Sequence, residues 1–153
     1  MHHIATVGYE TTTIPRLQET LVEAGVDLLI DVRAVASSRR PGFAKTRLAA
    51  NLGEVGIEYQ HLRGLGTPAD GRAAARAGRH AEMREIFLKH LATPAAQDEL
   101  ETLAELVRSG RRVCLLCLEA DPAHCHRSLV ADALASLLPL EVTHLDPESG
   151  DSP

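Results

Sequence analysis

The segment RRVCLLCLEADPAHCHRSLVADALASLL, residues 111–138, joins an apolar run to an amphipathic pattern through a short polar loop. The run RRVCLLC, residues 111–117, predicts a β-strand that is buried on both faces. Asp121 and Pro122 predict a helix start, because Asp caps free backbone N–H groups and Pro fits the first helical position. We expect that helix to run from about Pro122 to Leu138. A buried strand followed by an amphipathic helix is the repeating unit of a parallel α/β sheet.

The same alternation of apolar strand and amphipathic helix extends over most of the chain. Four further strands are expected at residues 3–8, 27–33, 57–62 and 140–145, the last at an edge of the sheet. Further helices are expected at residues 12–25, 45–56, 80–91 and 94–110. The Gly- and Arg-rich residues 63–79 have no clear period, and we interpret them as a long functional loop or mobile flap.

This pattern predicts a single-domain α/β fold. We expect a Rossmann-like three-layer sandwich, in which helices cover both faces of a mostly parallel five-stranded sheet. The expected strand order is 3-2-1-4-5, which places the first, second and fourth strands together at the centre. The domain is expected to span residues 1–145, and residues 146–153 are expected to form a flexible acidic tail.

The composition is that of a globular protein without a disulfide framework. The chain has 153 residues, of which 44% are apolar and 24% charged, and this length favours one domain. Three cysteines cannot all pair, the N-terminus lacks the features of a secretory signal, and no apolar run is long enough to span a bilayer. We therefore expect a cytoplasmic protein with no membrane partner, and the sequence leaves open whether it is a monomer or a homodimer. Paired cysteines in that setting serve catalysis or metal binding more often than structure.

Positive charge is concentrated in one part of the chain, although the net charge is −5. Residues 33–47 contain five cations and no acid, namely Arg33, Arg39, Arg40, Lys45 and Arg47. A basic patch on an acidic protein suits an anionic ligand. We therefore predict that the partner is a small anion or a nucleic acid, with Arg33, Arg39 and Lys45 among its contacts.

Polar side chains follow the predicted strands at the points where those strands end. The carboxyl ends of parallel strands meet at one edge of the sheet, where ligands of such folds bind. The residues predicted to bind the substrate or anion are Tyr9, Asp31, Arg33, Arg39, Lys45 and His61. A structural bond between Asp31 and Arg33 is equally expected, because a buried acid needs a partner. A structural role is also the more common one for a histidine in the position of His61.

Two cysteines, two histidines, two acids and an arginine lie within the segment CLEADPAHCHR. Cys117 or Cys125 would attack as the thiolate, which the positive end of the following helix favours. His126 would move the proton, and Glu119 would orient that histidine or act as a second acid–base group. Arg127 would hold an anionic group of the substrate. These five residues are the predicted catalytic set.

Three other interpretations of the segment stay open. Cys117, Cys125 and His126 would suit a metal ion such as zinc or iron, with Glu119 as a fourth ligand, but the spacing is wider than usual and the leading hypothesis includes no cofactor. A redox pair would need the Cα atoms of the two cysteines about 4.4–6.8 Å apart. In the third interpretation, Cys117 is only a small buried hydrophobic residue, and Asp121 and Pro122 are an ordinary helix cap. For Cys114, inside the buried strand, we expect a role in the core.

Several stretches of the chain also resemble one family. They are TVGYE (6–10), DVRAVASSRRPGF (31–43), EYQHLRGLG (58–66) and LLCLEADPAHCHRSLVADAL (115–134). With the pattern Cys-x-Glu-x5-Cys-His-Arg, the chain from about residue 4 to residue 138 resembles domain of unknown function 488. The resemblance implies a small, single-domain, cytoplasmic prokaryotic protein whose paired cysteines suggest an enzymatic role, with no settled activity.

The leading hypothesis is an enzyme with a cysteine-based active site. Its substrate would be anionic, either a phosphate-bearing small molecule or a nucleotide or nucleic-acid fragment, and the sequence does not assign the reaction. The alternative is a non-catalytic module that binds a metal or a nucleic acid through the same Cys, His and Arg cluster.

Overall fold

The computed structural model describes residues 1–147, which form a five-stranded sheet with helices on both faces. All strand pairs are parallel. The strands are β1 His2–Gly8, β2 Leu28–Asp31, β3 Glu58–His61, β4 Val113–Cys117 and β5 Leu140–His144. The helices are α1 Ile14–Glu23, α2 Lys45–Gly53, α3 Ala69–Arg76, α4 His80–Leu91, α5 Pro94–Arg108 and α6 Arg127–Ala135. The predicted α/β sandwich is confirmed.

Strand β4 lies at the centre of the sheet, between β2 and β1, in the order β3-β2-β4-β1-β5. The predicted order 3-2-1-4-5 is wrong in the placement of β4, although the three central strands and the edge strand β5 are the predicted ones. Every residue of β4 is buried, whereas β1 begins with the partly exposed His2 and the exposed His3. The strand with the most continuous apolar sequence gains most from a central position, because both of its faces are covered there.

A separate apolar core lies on each face of the sheet. Leu17 of α1 and Leu48 of α2 share one core with Leu116 of β4. Phe87 of α4 shares the other core with Leu115. Successive residues of β4 therefore point to opposite faces, and the two helical layers enclose the strand that carries the site.

Residues 63–79 do not form the predicted loop. A 3₁₀ turn spans Arg63–Leu65, and helix α3 follows. The buried side of α3 consists of Gly71 and Ala74. The helix is short and buries no large apolar side chain, so its sequence lacks the regularly spaced leucine and valine residues by which the other helices were recognised.

The predicted helix from Pro122 to Leu138 is interrupted. A 3₁₀ turn spans Pro122–His124, Cys125 has an extended backbone with φ −130° and ψ 147°, and α6 begins only afterwards. Asp121 caps this 3₁₀ turn and not helix α6, because its carboxylate accepts a hydrogen bond from the backbone N–H of Ala123 at 2.9 Å. The interruption places the Cys125 side chain against the end of β4 rather than along a helix.

Residues 148–153 lie outside the described residues, so the predicted acidic tail and the domain boundary at residue 145 stay predictions. Within residues 1–147, none of the helices combines the length and the apolar sequence needed to cross a membrane.

Candidate active site

The carboxyl ends of the central strands lie side by side and open into one cavity. The register pairs Gly8 of β1 with Cys117 of β4, and Asp31 of β2 with Leu116. The segments that follow these strand ends enclose a cavity of about 260 Å³. Its lining includes the sequence-predicted site residues Tyr9, Arg33, Cys117, Glu119 and His126. The cavity therefore joins three of the loops that the sequence singled out.

The two predicted reactive cysteines meet at this cavity. The sulfur atoms of Cys117 and Cys125 are paired as a disulfide, and both side chains are buried. Cys117 belongs to the cavity lining and Cys125 does not. Their Cα atoms lie 7.3 Å apart, just beyond the range of about 4.4–6.8 Å that is usual for a disulfide. Cys114 is a free cysteine inside β4 and is buried, as expected.

His126 is held in one orientation beside Cys125. Its Nε2 lies 2.6 Å from the carbonyl oxygen of Val32. Because a carbonyl only accepts, Nε2 carries the proton and Nδ1 has a free lone pair in the neutral ring. Nδ1 lies 3.8 Å from the sulfur of Cys125. Burial lowers the pKa of His126 to about 4, against the opposing effect of the Val32 hydrogen bond. The ring is therefore neutral at pH 7 and offers Nδ1 as a base or a ligand.

Arg127 is fully buried and donates to several groups around the site. Its guanidinium donates to Thr6 Oγ1 at 3.1 Å, to the carbonyl of Ala120 at 3.1 Å and to the carbonyl of Glu119. Nη1 also lies 3.5 Å from the sulfur of Cys117. No carboxylate within residues 1–147 forms an ion pair with Arg127. Its positive charge therefore lies beside the Cys117 sulfur. Its N–H groups donate to the loop after β4, and not to a substrate anion as the sequence suggested.

Asp31, Arg33 and Tyr9 form a buried network at the end of β2. Arg33 donates to Asp31 from Nε at 2.9 Å and from Nη2 at 2.7 Å, and its Nη1 donates to the hydroxyl of Tyr9 at 3.2 Å. Burial lowers the pKa of Arg33, but hydrogen bonds and charge from Asp31 outweigh it, so that the pKa is raised. The structural bond that the sequence allowed is therefore present, and Asp31 offsets most of the charge that Arg33 brings to the cavity.

Glu119 places a carboxyl group close to the sulfur of Cys117. Its Oε1 lies 3.8 Å from the sulfur, and the side chain lines the cavity. Burial raises the pKa of Glu119, and the negative charge of Glu10 adds to the rise. A carboxyl group with a raised pKa is suited to exchange a proton with a neighbouring thiol or substrate.

Two arginines of α3 line the cavity, and the sequence did not identify them as site residues. They are Arg72, which donates to the carbonyl of Thr67 at 2.9 Å, and the exposed Arg76. Residues 63–79 were recognised as basic, but without a helical assignment nothing indicated that two cations four positions apart share one face. The spacing of Arg72 and Arg76 was therefore the one feature of the sequence that could have indicated their shared position.

A family model described as "Domain of unknown function DUF488" matches residues 13–134. The chain belongs to the DUF488 family. No curated protein and no solved structure matches the chain. The DUF488 match includes Cys117, Cys125 and Arg127. It begins at residue 13, so Tyr9 and Glu10, which contribute to the site, lie before the matched region.

Other residues that the sequence predicted for the site do not line the cavity beside Cys117. Arg39 and Lys45 are exposed and are absent from its lining. His61 lies at the end of β3, where its Nε2 contacts the carbonyl of Arg33 at 2.6 Å. His61 therefore supports the backbone of the Arg33 loop.

A second, larger cavity lies at the opposite end of the sheet. It has a volume of about 700 Å³ and is lined by the amino ends of β1 and β4, including Ile4 and Val113. Two arginines line it, Arg111 and Arg112, and Arg111 forms ion pairs with Asp27 and Glu58. Ligands of parallel α/β sheets bind at the carboxyl ends of the strands, and the second cavity contains no cysteine. The cavity beside Cys117 is therefore the candidate site.

The site also contains a set of metal-ligand atoms. The ligand atoms of Cys117, Cys125 and His126 all lie within 4.8 Å of one another, and the three side chains are buried. Two thiolates and one imidazole are a donor set that zinc accepts. The hydrogen bond from His126 to Val32 is of the kind that orients a metal-bound histidine.

Proposed function

We propose that this DUF488 protein is an enzyme whose reactive group is the thiol of Cys117 and whose substrate is a small anion. The observation that carries the proposal is the place of Cys117 in the lining of a cavity that Arg72 and Arg76 also line. A nucleophilic thiol and a pair of cations on one small cavity are the two parts that such a reaction needs.

The surroundings of Cys117 favour its thiolate form. The guanidinium of Arg127 lies 3.5 Å from the sulfur, in a buried place where a positive charge is weakly screened. The carboxylate of Glu119 lies 3.8 Å from the same sulfur and is able to take the thiol proton. Cys117 also belongs to the lining of the cavity, although it is almost fully buried.

The charge of the cavity favours an anion. Asp31 offsets Arg33, so the positive charge of the lining comes from Arg72 and Arg76 on α3, which outnumber the single carboxyl group of Glu119. A volume of about 260 Å³ accommodates a small molecule with a carboxylate or phosphate group. A duplex or a long single strand would not fit into it.

Alkylation with two reagents of similar size tests both parts of the proposal. The reduced protein is treated with iodoacetate, which is anionic, or iodoacetamide, which is neutral, and Cys117 is followed by peptide mapping. The ratio of the iodoacetate rate to the iodoacetamide rate should exceed that of a neutral model thiol by about tenfold, because the arginines concentrate the anion.

The double variant Arg72→Gln, Arg76→Gln should bring this ratio close to that of the model thiol. Arg39→Gln is the matched control, because it removes an exposed arginine that does not line the cavity. A Cys117 that reacts no faster than the model thiol with either reagent would refute the proposal.

Metal binding is the second candidate function, favoured by the cluster of ligand atoms and by the Cα separation of 7.3 Å between the cysteines. Two thiolates joined through a zinc ion, with zinc–sulfur distances of about 2.3 Å, span more than a direct disulfide does. Stoichiometric zinc or iron in freshly purified protein, lost in Cys117→Ser and kept in Cys114→Ser, would favour it. Nucleic-acid binding has no comparable support, since Arg39 and Lys45 lie outside the cavity.

A further inference from the structure

We infer that Cys117 and Cys125 act together as a dithiol and that the substrate class is a small anionic disulfide. The inference rests on the proposed function, in which Cys117 is the reactive group of an anion-binding cavity. It adds the role of the second cysteine and the bond that the enzyme cleaves.

The two cysteines are placed for different tasks. Cys117 lines the cavity and is able to meet a substrate, whereas Cys125 is buried behind it and does not belong to the lining. Their sulfur atoms are nevertheless paired. Acyl or phosphoryl transfer by a thiol needs one cysteine. A second one that reaches the first sulfur from the side away from the substrate suits the resolution of a mixed disulfide.

Each sulfur has its own supporting group. The positive charge of Arg127 lies 3.5 Å from Cys117, where it favours the attacking thiolate. The free lone pair of His126 Nδ1 lies 3.8 Å from Cys125, where it is able to accept a hydrogen bond from the thiol and direct it. The hydrogen bond of Nε2 to Val32 keeps that lone pair directed at the sulfur. The site thus activates two thiols by two separate groups.

The reaction consists of two thiol–disulfide exchanges. The Cys117 thiolate attacks one sulfur of the substrate R–S–S–R, a bond forms between Cys117 and RS, and the other half leaves as RS⁻. The sulfur of Cys125, directed by its contact with His126 Nδ1, then attacks the sulfur of Cys117, and the second RS⁻ leaves and takes up the proton that Cys125 loses. The substrate gains two electrons and the protein loses two as its thiols become a disulfide. A dithiol reductant restores the reduced protein by the same exchange in reverse.

The loop between the cysteines permits the second step. Its residues Leu118 and Asp121 are exposed, and side chains rather than neighbouring backbone hold the loop, with Arg127 bound to two of its carbonyls and Glu10 to the N–H of Ala120. The Cα atoms at 7.3 Å need only a small closing movement to reach the usual disulfide range. Exposed loop residues carry few packing contacts that would oppose such a movement.

Two disulfides of similar size and opposite charge test the inference. The probes are 3,3′-dithiodipropionate, with two carboxylates, and cystamine, with two ammonium groups. Reduced wild-type protein with dithiodipropionate should yield two equivalents of free mercaptopropionate per protein and a disulfide that peptide mapping assigns to Cys117 and Cys125. Cys125→Ser should instead accumulate one mercaptopropionate on Cys117, and Cys117→Ser should form no such adduct.

The charge preference and the control complete the design. The rate with dithiodipropionate should exceed that with cystamine by about tenfold. Cys114→Ser should behave like the wild type, because Cys114 lies within the strand and away from the cavity. The wild-type peptide map gives a result even where a serine variant fails to fold.

Failure of the inference differs from failure of the proposed function. If Cys117 shows the predicted iodoacetate preference but wild-type protein retains the mercaptopropionate adduct without linking Cys117 to Cys125, the dithiol role is wrong and the proposed function stands. If Cys117 shows neither alkylation preference nor exchange, both are wrong. Equal rates with the two probes would overturn the anionic substrate class.

Discussion

The Nε2 atom of His126 donates a hydrogen bond of 2.6 Å to the carbonyl oxygen of Val32, the residue directly after β2. This bond links the start of α6 to the end of a neighbouring strand and fixes which nitrogen of the ring carries the proton. The free Nδ1 then faces the sulfur of Cys125. One backbone carbonyl thus determines the proton acceptor that the second cysteine has available.

The buried His126 should make the protein less stable in acid. Its pKa is lowered from 6.5 to about 4 by burial, so the unfolded state binds more protons between these two values. The contribution of His126 is therefore fully present above pH 6.5 and is lost as the pH falls toward 4, by about 3 kcal/mol at most. Urea unfolding of the wild type and His126→Gln at pH 7, 5.5 and 4.5 measures this. A difference between the two that does not change with pH would contradict it.

Gly8 should be required for the loop after β4. A Cβ atom at this position would lie 1.7 Å from the carbonyl oxygen of Glu119, a backbone atom that cannot turn aside. Gly8→Ala should therefore lower the free energy of unfolding by about 1–3 kcal/mol and slow the linking of Cys117 to Cys125. Gly53→Ala is the control, since nothing lies within 4 Å of its Cβ position. Its stability should be equal to or slightly above that of the wild type. Equal stability of the two variants in urea would refute the prediction.

Asp31 should contribute more to stability than an exposed acid does. Asp31→Asn leaves the buried Arg33 without its ion-pair partner, and removing one member of a buried pair costs about 3–5 kcal/mol. Asp27→Asn removes a partly exposed partner of Arg111 and should cost about 1 kcal/mol or less. Thermal and urea unfolding measure both. The prediction fails if the two variants lose similar stability.

Arg127 should not be replaceable by lysine. An ammonium group keeps the charge but cannot reach Thr6, Ala120 and the Cys117 sulfur together, as the planar guanidinium does. Arg127→Lys should lower both the stability and the alkylation rate of Cys117 at pH 7, the rate by about tenfold. Arg108→Lys, at an exposed position on α5, should change neither. A lysine variant with the wild-type alkylation rate would show that Arg127 does not activate the thiol.

The sequence predicted what depends on local pattern. The apolar runs at β2 and β4 and the periodic helices α1 and α5 follow from burial on two faces or on one. The grouping of the strand ends at Gly8, Asp31 and Cys117 follows from parallel pairing alone. The exchange of β1 and β4 in the sheet does not, because both are short apolar strands and the order depends on packing across the sheet.

The parts of the site that the sequence missed depend on contacts between distant segments. Helix α3 buries glycine and alanine, which carry little hydrophobic signal, so the position of Arg72 and Arg76 on the cavity was hidden. The pairing of Arg33 with Asp31 was one of two roles that the sequence left open, and the four acceptors around Arg127 were not predictable from it. The sequence shows that an arginine is present, but not whether its guanidinium binds a substrate or a backbone carbonyl.

The order in which the three cysteines react is the most direct test of a Cys117-centred site. Reduced native protein is exposed to a short pulse of iodoacetamide at pH 7, quenched, unfolded and mapped by mass spectrometry. Cys117 should be labelled first and Cys125 more slowly. Cys114, whose pKa is raised by burial, should be labelled only after unfolding. A Cys117 that stays unlabelled until the protein unfolds, or that reacts after Cys114, would contradict the proposal that it is the reactive group.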